Sequence, residues 1–298
     1  MLSRIRNTVR KNAAIRQLIG YHFASSGLFD RYLTNYKLCN SWQSRIADVV
    51  ACPDNGFIPR VENAGEVSGG KQIMHNGLKI NLGSYYGPEY VQLLKANKGV
   101  HEPQEEKVFA EVLKHIPEGA TMIEMGAFWS FYSMWFNQSI KNARNFMIEP
   151  DAFNLGQGKR NFSLNKMNGS FTQGFVGARS TNDLKVPTIC IDDFVKQNNI
   201  EFIDILHSDI QGYEFEMLKG AERTISDGKV SYIFISTHST EVHLQCKEFL
   251  IQKNLRIISE ADLKNTYSED GLIVAVNPLK SNIERIPVAQ KSNKLHLV

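Results

Sequence analysis

The chain has 298 residues, 42% hydrophobic and 22% charged, a globular balance that excludes a mainly disordered protein. Thirty-four Lys and Arg against 31 Asp and Glu leave a formal charge of +3, too balanced for a dedicated nucleic-acid binder. Cys39, Cys52, Cys190 and Cys246 stand far apart, and no apolar run approaches a membrane span of roughly 20 residues, so a cytoplasmic protein without a disulfide scaffold is expected.

Arg4, Arg6, Arg10, Lys11 and Arg16 precede any acid, with Leu2, Ile5, Val9, Ile15, Leu18 and Ile19 between them. This pattern reads first as an ordinary solvated helix, with a basic amphipathic helix on an anionic membrane surface as the alternative. Residues 50 to 86 are rich in Gly, Asn and Pro and read as turns and short strands, with Asn76-Gly77 as a hairpin turn. A helix is expected from Pro103, and a domain boundary near residue 100.

Beyond it, short apolar segments alternate with helical stretches. The expected strands are Thr121–Met125, Asn145–Ile148, a third near Phe171–Val176, Asp204–Asp209, Val230–Ser236, Leu255–Ser259 and Leu272–Val276. Such alternation implies a mostly parallel sheet with helices on both faces and an antiparallel final pair. Ligands bind such sheets beyond the carboxyl ends of the strands, so the residues just after each strand carry the functional reading.

The first strand runs into Glu124-Met125-Gly126-Ala127-Phe128-Trp129-Ser130. A nicotinamide dinucleotide calls for G-x-G-x-x-G here, and two of those glycines are missing, so an adenosyl ligand without phosphate fits better. S-adenosylmethionine is the expected cofactor. Glu149, directly after the second strand, is placed to clamp two ribose hydroxyls. After the fourth strand, Asp209 in His207-Ser208-Asp209-Ile210-Gln211-Gly212 projects at the same edge.

Together these segments resemble the FkbM family of methyltransferases. The similarity is carried by E-x-G-A at 124, I-E-P-D at 148–151, Thr188-Ile189-Cys190-Ile191-Asp192-Asp193, and D-I-x-x-x-D-I-Q-G-x-E-x-x-x-L-K-G-A at 204–221. The resemblance implies a Rossmann-like α/β fold with a seven-stranded, mostly parallel sheet and an antiparallel last strand. It also implies methyl transfer from S-adenosylmethionine to a hydroxyl oxygen, often on a sugar or glycoconjugate. On this division residues 101–280 are the methyltransferase domain, 1–100 an N-terminal helical and hairpin region, and 281–298 a basic tail.

Phe128 and Ser130 depart from the family's D-x-G-A-N-x-G, where Asn and Gly stand. His207 and Gln211 replace the Lys and Glu of its K-x-D-x-E-G. Candidate cofactor residues are Glu124, Gly126, Ala127, Ser130, Glu149 and Asp209. Asp209 and His238 are the candidate catalytic pair, as base or as ligands of a divalent metal, with His243 able to join them. His207 reads equally well as a hydrogen-bonded core histidine. Glu102, Gln104 and Glu105 read as acids at a helix N-terminus, or as cofactor contacts from below the loop. The aromatic run Phe128 to Phe136 reads as core, and Tyr267, Ser268 and Asp270 as lining of an acceptor pocket. The competing functions are a nicotinamide-dependent oxidoreductase and a binding-only relative.

Overall fold

The computed structural model describes residues 26–292. The basic stretch before residue 26, with its expected amphipathic helix, lies outside the described residues. Helices α1 (Asp30–Thr34) and α2 (Asn40–Ala51) lead to a 3-10 turn at Pro53–Phe57. A small antiparallel sheet follows, with strands β1 (Val67–Ser68), β2 (Lys71–Ile73) and β3 (Lys79–Asn81). Its β2–β3 turn is the expected Asn76-Gly77, with Gly77 at φ +85°. Helices α3 (Pro88–Ala96) and α4 (Pro103–Leu113) both start on proline, whose missing N–H costs nothing in a first turn.

From residue 121 strands and helices alternate as expected. The first half is β4 (Thr121–Met125), α5 (Phe131–Ser139), β5 (Arg144–Glu149), α6 (Ala152–Leu164) and β6 (Ser170–Gln173). A short parallel pair, β7 (Phe175–Val176) and β8 (Thr188–Ile189), then leads through α7 (Ile191–Gln197) to β9 (Ile203–Ser208). Helices α8 (Glu214–Gly220) and α9 (Glu222–Ser226), strand β10 (Val230–Thr237), helix α10 (Thr240–Gln252) and strands β11 (Arg256–Ala261) and β12 (Gly271–Val276) complete the chain order.

The main sheet has seven strands in the order β11-β12-β10-β9-β4-β5-β6. β12, the last strand, runs antiparallel to both neighbours, β10 and β11, while β10, β9, β4, β5 and β6 are mutually parallel. This is the expected Rossmann-like α/β architecture. The expected third strand is divided at Gly174: β6 ends there as the edge of the main sheet, and β7 pairs with β8 instead.

Alternate residues of each strand feed opposite faces of the sheet. Met122, Met147, Ile205, Phe234 and Val274 pack on one face with α4, α5 and residues 74–94. Ile123, Ile148, Leu206, Ile233 and Ile273 pack on the other against α7, α8 and α10. Both faces are covered, which is why β9 and β10 are buried along their whole length. Met74, Leu78, Ile80, Tyr85 and Leu94 share the first cluster, so the texture change near residue 100 falls within continuous packing. The described end of the chain also packs back: Ile286 is buried and Ala289 N–H donates to Asp54 at 2.7 Å. No helix among the described residues is long and apolar enough to cross a membrane.

Candidate active site

β4 and β9 lie side by side at the point where strand order reverses, and their carboxyl ends open a crevice. The loop leaving β4 turns on Gly126 at φ +71°. Asp209 N–H donates to Met125 O at 3.0 Å, and a Cβ on Gly126 would lie 1.7 Å from the Asp209 carbonyl oxygen. The close approach that requires glycine is thus made by the chain itself. Gly126 and Ala127 both donate their N–H to Ile148 O, at 2.9 and 3.1 Å, fixing the loop to the end of β5.

Glu149 organises the same loop. Its Oε2 accepts from Phe128 N–H at 3.2 Å and its Oε1 from Asp151 N–H at 2.9 Å. Each oxygen keeps a further lone pair for a ligand hydroxyl. Glu124 Oε2 accepts from Ser133 N–H at 3.0 Å in the first turn of α5, and burial pushes its pKa up to about 7. Ser130 has a different place from that expected of a cofactor contact. It is buried, its hydroxyl has no partner, and it lies against Gly158 of α6, where a Cβ would come 2.3 Å from its Oγ.

Asp209 and His238, from the ends of β9 and β10, come together as expected, and Asp270 from the start of β12 joins them. His238 Nε2 lies 3.3 Å from an oxygen of each Asp, and its Nδ1 lies 2.8 Å from Glu214 Oε1. Burial opposes charge on this ring, but Asp209, Glu214 and Asp270 outweigh it and push its pKa up to about 10. Burial, aided by Asp209, pushes Asp270 up to about 7. His243 does not join the group; it is buried between Thr237 (2.8 Å) and Glu260 (3.2 Å). Tyr267 is buried, its N–H bound to Gln104 Oε1 at 2.8 Å.

His207 is a hydrogen-bonded histidine, 2.7 Å from Glu105 Oε1, while Ser236 donates to Glu105 Oε2 at 3.0 Å. The acids of α4 do stand at a helix N-terminus as expected, but there they are held by partners inside the fold. Glu105 and Glu106 are buried, and Glu102 accepts from Tyr132 OH at 3.0 Å beside His101. His101, one of their partners, immediately precedes α4, but the other two, His75 and His207, come from elements distant in sequence, so the residue types alone could not place these acids inside.

These elements enclose a cavity of about 600 Å³, within the range that holds small ligands. Glu124, Gly126, Ala127, Glu149 and Asp209 all line it, so the strand-end residues share one hollow. Tyr85, Tyr86, Glu102, Phe128, Trp129 and Tyr132 form another part of the wall. Phe128 thus faces the cavity, whereas Phe131, Trp135 and Phe136 are core. His238 is not on the wall and reaches it through Asp209 and Gln211. Five carboxylates line the cavity (Glu102, Glu124, Glu149, Asp209 and Glu216), and among the described residues no Lys or Arg does.

The model of the methyltransferase FkbM domain matches residues 90–262, more than half of the chain. The chain belongs to the FkbM methyltransferase family. No curated protein matches the sequence. Solved structures with a similar fold include TrmK of M. capricolum in complex with S-adenosyl-homocysteine, 14% identical, with 60% of this chain and 69% of that one covered at a TM-score of 0.40. Precorrin-6y C5,15-methyltransferase of Geobacter metallireducens is 14% identical over 58% of this chain and 89% of that one, at 0.40. A putative SAM-dependent methyltransferase of Streptococcus mutans is 12% identical over 71% and 57%, at 0.44.

The FkbM departures now have positions. Phe128 and Ser130, where the family carries Asn and Gly, sit at φ +36° and +60°, the backbone region those two residues tolerate best. His207 pairs with Glu105 of α4, and Gln211 lies 2.8 Å from His238 Nε2.

Proposed function

We propose that this FkbM-family chain transfers a methyl group from S-adenosylmethionine to a hydroxyl oxygen of a sugar or glycoconjugate. The observation that carries the reading is the shared cavity, in which the Gly126 loop, Glu149 and Asp209 meet under a wall of carboxylates. That wall suits a sulfonium cation and opposes the pyrophosphate of a nicotinamide dinucleotide. When bound, the donor supplies an electrophilic methyl carbon. Glu149 accepts from the ribose hydroxyls with the lone pairs that Phe128 and Asp151 leave free. Glu102, kept ionised against burial by His101, lends the cavity negative potential, and Glu124, raised to about 7, adds a partial share.

The acceptor hydroxyl enters beside Asp209, the cavity-facing member of its group. Asp209 would take the hydroxyl proton as the acceptor oxygen gains the donor's methyl group, the donor leaving as neutral S-adenosylhomocysteine. Holding the two reactants at about 3 Å is the larger part of the acceleration. His238 acts through Asp209, anchored by Glu214 and balancing the carboxylate charge. Ligand atoms of Asp209, His238 and Asp270 lie within 4.8 Å of one another, a donor set that also fits a divalent cation. Such an ion would polarise the acceptor hydroxyl, and activity measured after exhaustive chelation separates the two cases.

The test is transfer of labelled methyl from S-adenosylmethionine to a cell glycan fraction. Asp209→Asn is expected to lower turnover about a hundredfold or more while S-adenosylhomocysteine still binds. Unchanged turnover in that variant would refute the assignment of Asp209.

A further inference from the structure

On the reading that the cavity takes a methyl donor, we propose that Tyr86 and Phe128 form an aromatic acceptor wall beside Asp209, and that it admits a sugar ring bearing no phosphate or carboxylate. Both side chains line the cavity, and their rings meet edge to face at 5.1 Å. Tyr86 is 59% exposed. It is supported from behind by Tyr90, stacked at 5.2 Å, whose hydroxyl accepts from Arg45 Nη2 at 2.6 Å.

Each wall residue is held in a backbone conformation that side chains avoid. Tyr86 lies at φ +49°, followed by Gly87 at φ +134°, and Phe128 lies at φ +36°. Two touching aromatics, both strained and both turned to one cavity, mark a surface kept for contact rather than for packing. Neither belongs to the family's common pattern: Tyr86 precedes the matched residues 90–262, and Phe128 replaces the loop Asn.

The charges set the acceptor's chemistry. Among the described residues the wall offers five carboxylates and no Lys or Arg, and nearby Arg45 is already paired with Glu269 at 2.5 Å. Burial, together with Asp209 and Asp270, pushes the Tyr86 hydroxyl up to about 12, which agrees with its place near that acidic rim. A ring with an apolar C–H face stacks on these aromatics, and an amine substituent gains a cation–π contact. A phosphate or carboxylate would meet like charge, and the wall's two histidines, His101 and His207, are already paired with Glu102, Glu106 and Glu105.

The test is saturation-transfer NMR on protein loaded with S-adenosylhomocysteine. The neutral probes are methyl glucoside, methyl mannoside and methyl galactoside, and glucosamine is the amine-bearing probe. Glucuronic acid and UDP-glucose are the anionic probes. At least one neutral or amine-bearing sugar is expected to bind, the anionic ones at least about tenfold more weakly. Tyr86→Ala is expected to weaken the sugar about tenfold and Tyr86→Phe to restore it, one such ring contact being worth about that much. Tighter binding of the anionic sugars, no effect of Tyr86→Ala, or binding of none of the sugars would overturn the proposal. Failure to take up S-adenosylhomocysteine would instead refute the methyl-donor reading beneath it.

Discussion

A Cβ on Gly126 would lie 1.7 Å from the Asp209 carbonyl oxygen, in a backbone already at φ +71°, so Gly126→Ala meets a clash and left-handed strain together. The expected cost is about 3 kcal/mol, read from urea denaturation, and a loss of under about 1 kcal/mol would contradict the packing described. Ser130 gives the opposite expectation. It carries a side chain at φ +60° and buries a hydroxyl with no partner. Ser130→Gly removes both penalties, against a higher unfolded-state entropy, and is expected to stabilise the protein by about 1 kcal/mol. A lower midpoint in that variant would refute this account of the loop. The sequence marks Ser130 only as small enough for a close approach; its burial against Gly158 depends on how α6 packs, which no local pattern encodes.

The first turn of α4 carries a chain of buried titratable groups. Glu106 Oε1 accepts from His101 N–H at 2.7 Å and from Glu102 N–H at 3.0 Å, and lies 2.6 Å from His101 Nδ1. Burial works against a charged His101, but Glu102 and Glu106 prevail and push it up to about 10. A histidine raised in the fold contributes stability that is complete below its ordinary pKa of about 6.5 and is lost as pH rises through the folded value. Glu124, raised to about 7, loses stability in the same direction between its ordinary pKa and that value. Glu260, held near 2 by hydrogen bonds from His243 and Lys247 despite burial, acts oppositely; its contribution is lost as pH falls toward 2. Stability is therefore expected to peak in the mildly acidic range and to fall from there to about pH 10. Urea midpoints across that range test this, and His101→Gln should lessen the alkaline fall, leaving the share of His238, which is also raised to about 10. An equally steep decline in the variant would show that His101 does not drive it.

At the scale of the molecule, the alternation of strands and helices was readable because each strand is short, apolar and bounded by turn residues. Strand ends then named Gly126, Glu149 and Asp209, since topology alone brings carboxyl ends to one edge. The rest of the wall was not readable for the same reason in reverse. Tyr85 and Tyr86 reach the cavity from before the matched segment, while Asp270, expected in the acceptor pocket, is not on the wall and meets His238 because β12 inserts beside β10. No periodicity records such pairings.

On the proposed function, Glu149 and the Gly126 loop hold an adenosyl group in the cavity that Asp209 borders. Calorimetric titration with S-adenosylmethionine, on the wild-type chain and on Glu149→Ala, tests it most directly. One site is expected in the wild type, with an affinity at least about tenfold weaker in the variant through the loss of a charge-assisted ribose contact. Equal affinity in the two proteins, or tight binding of NAD with none of S-adenosylmethionine, would contradict it.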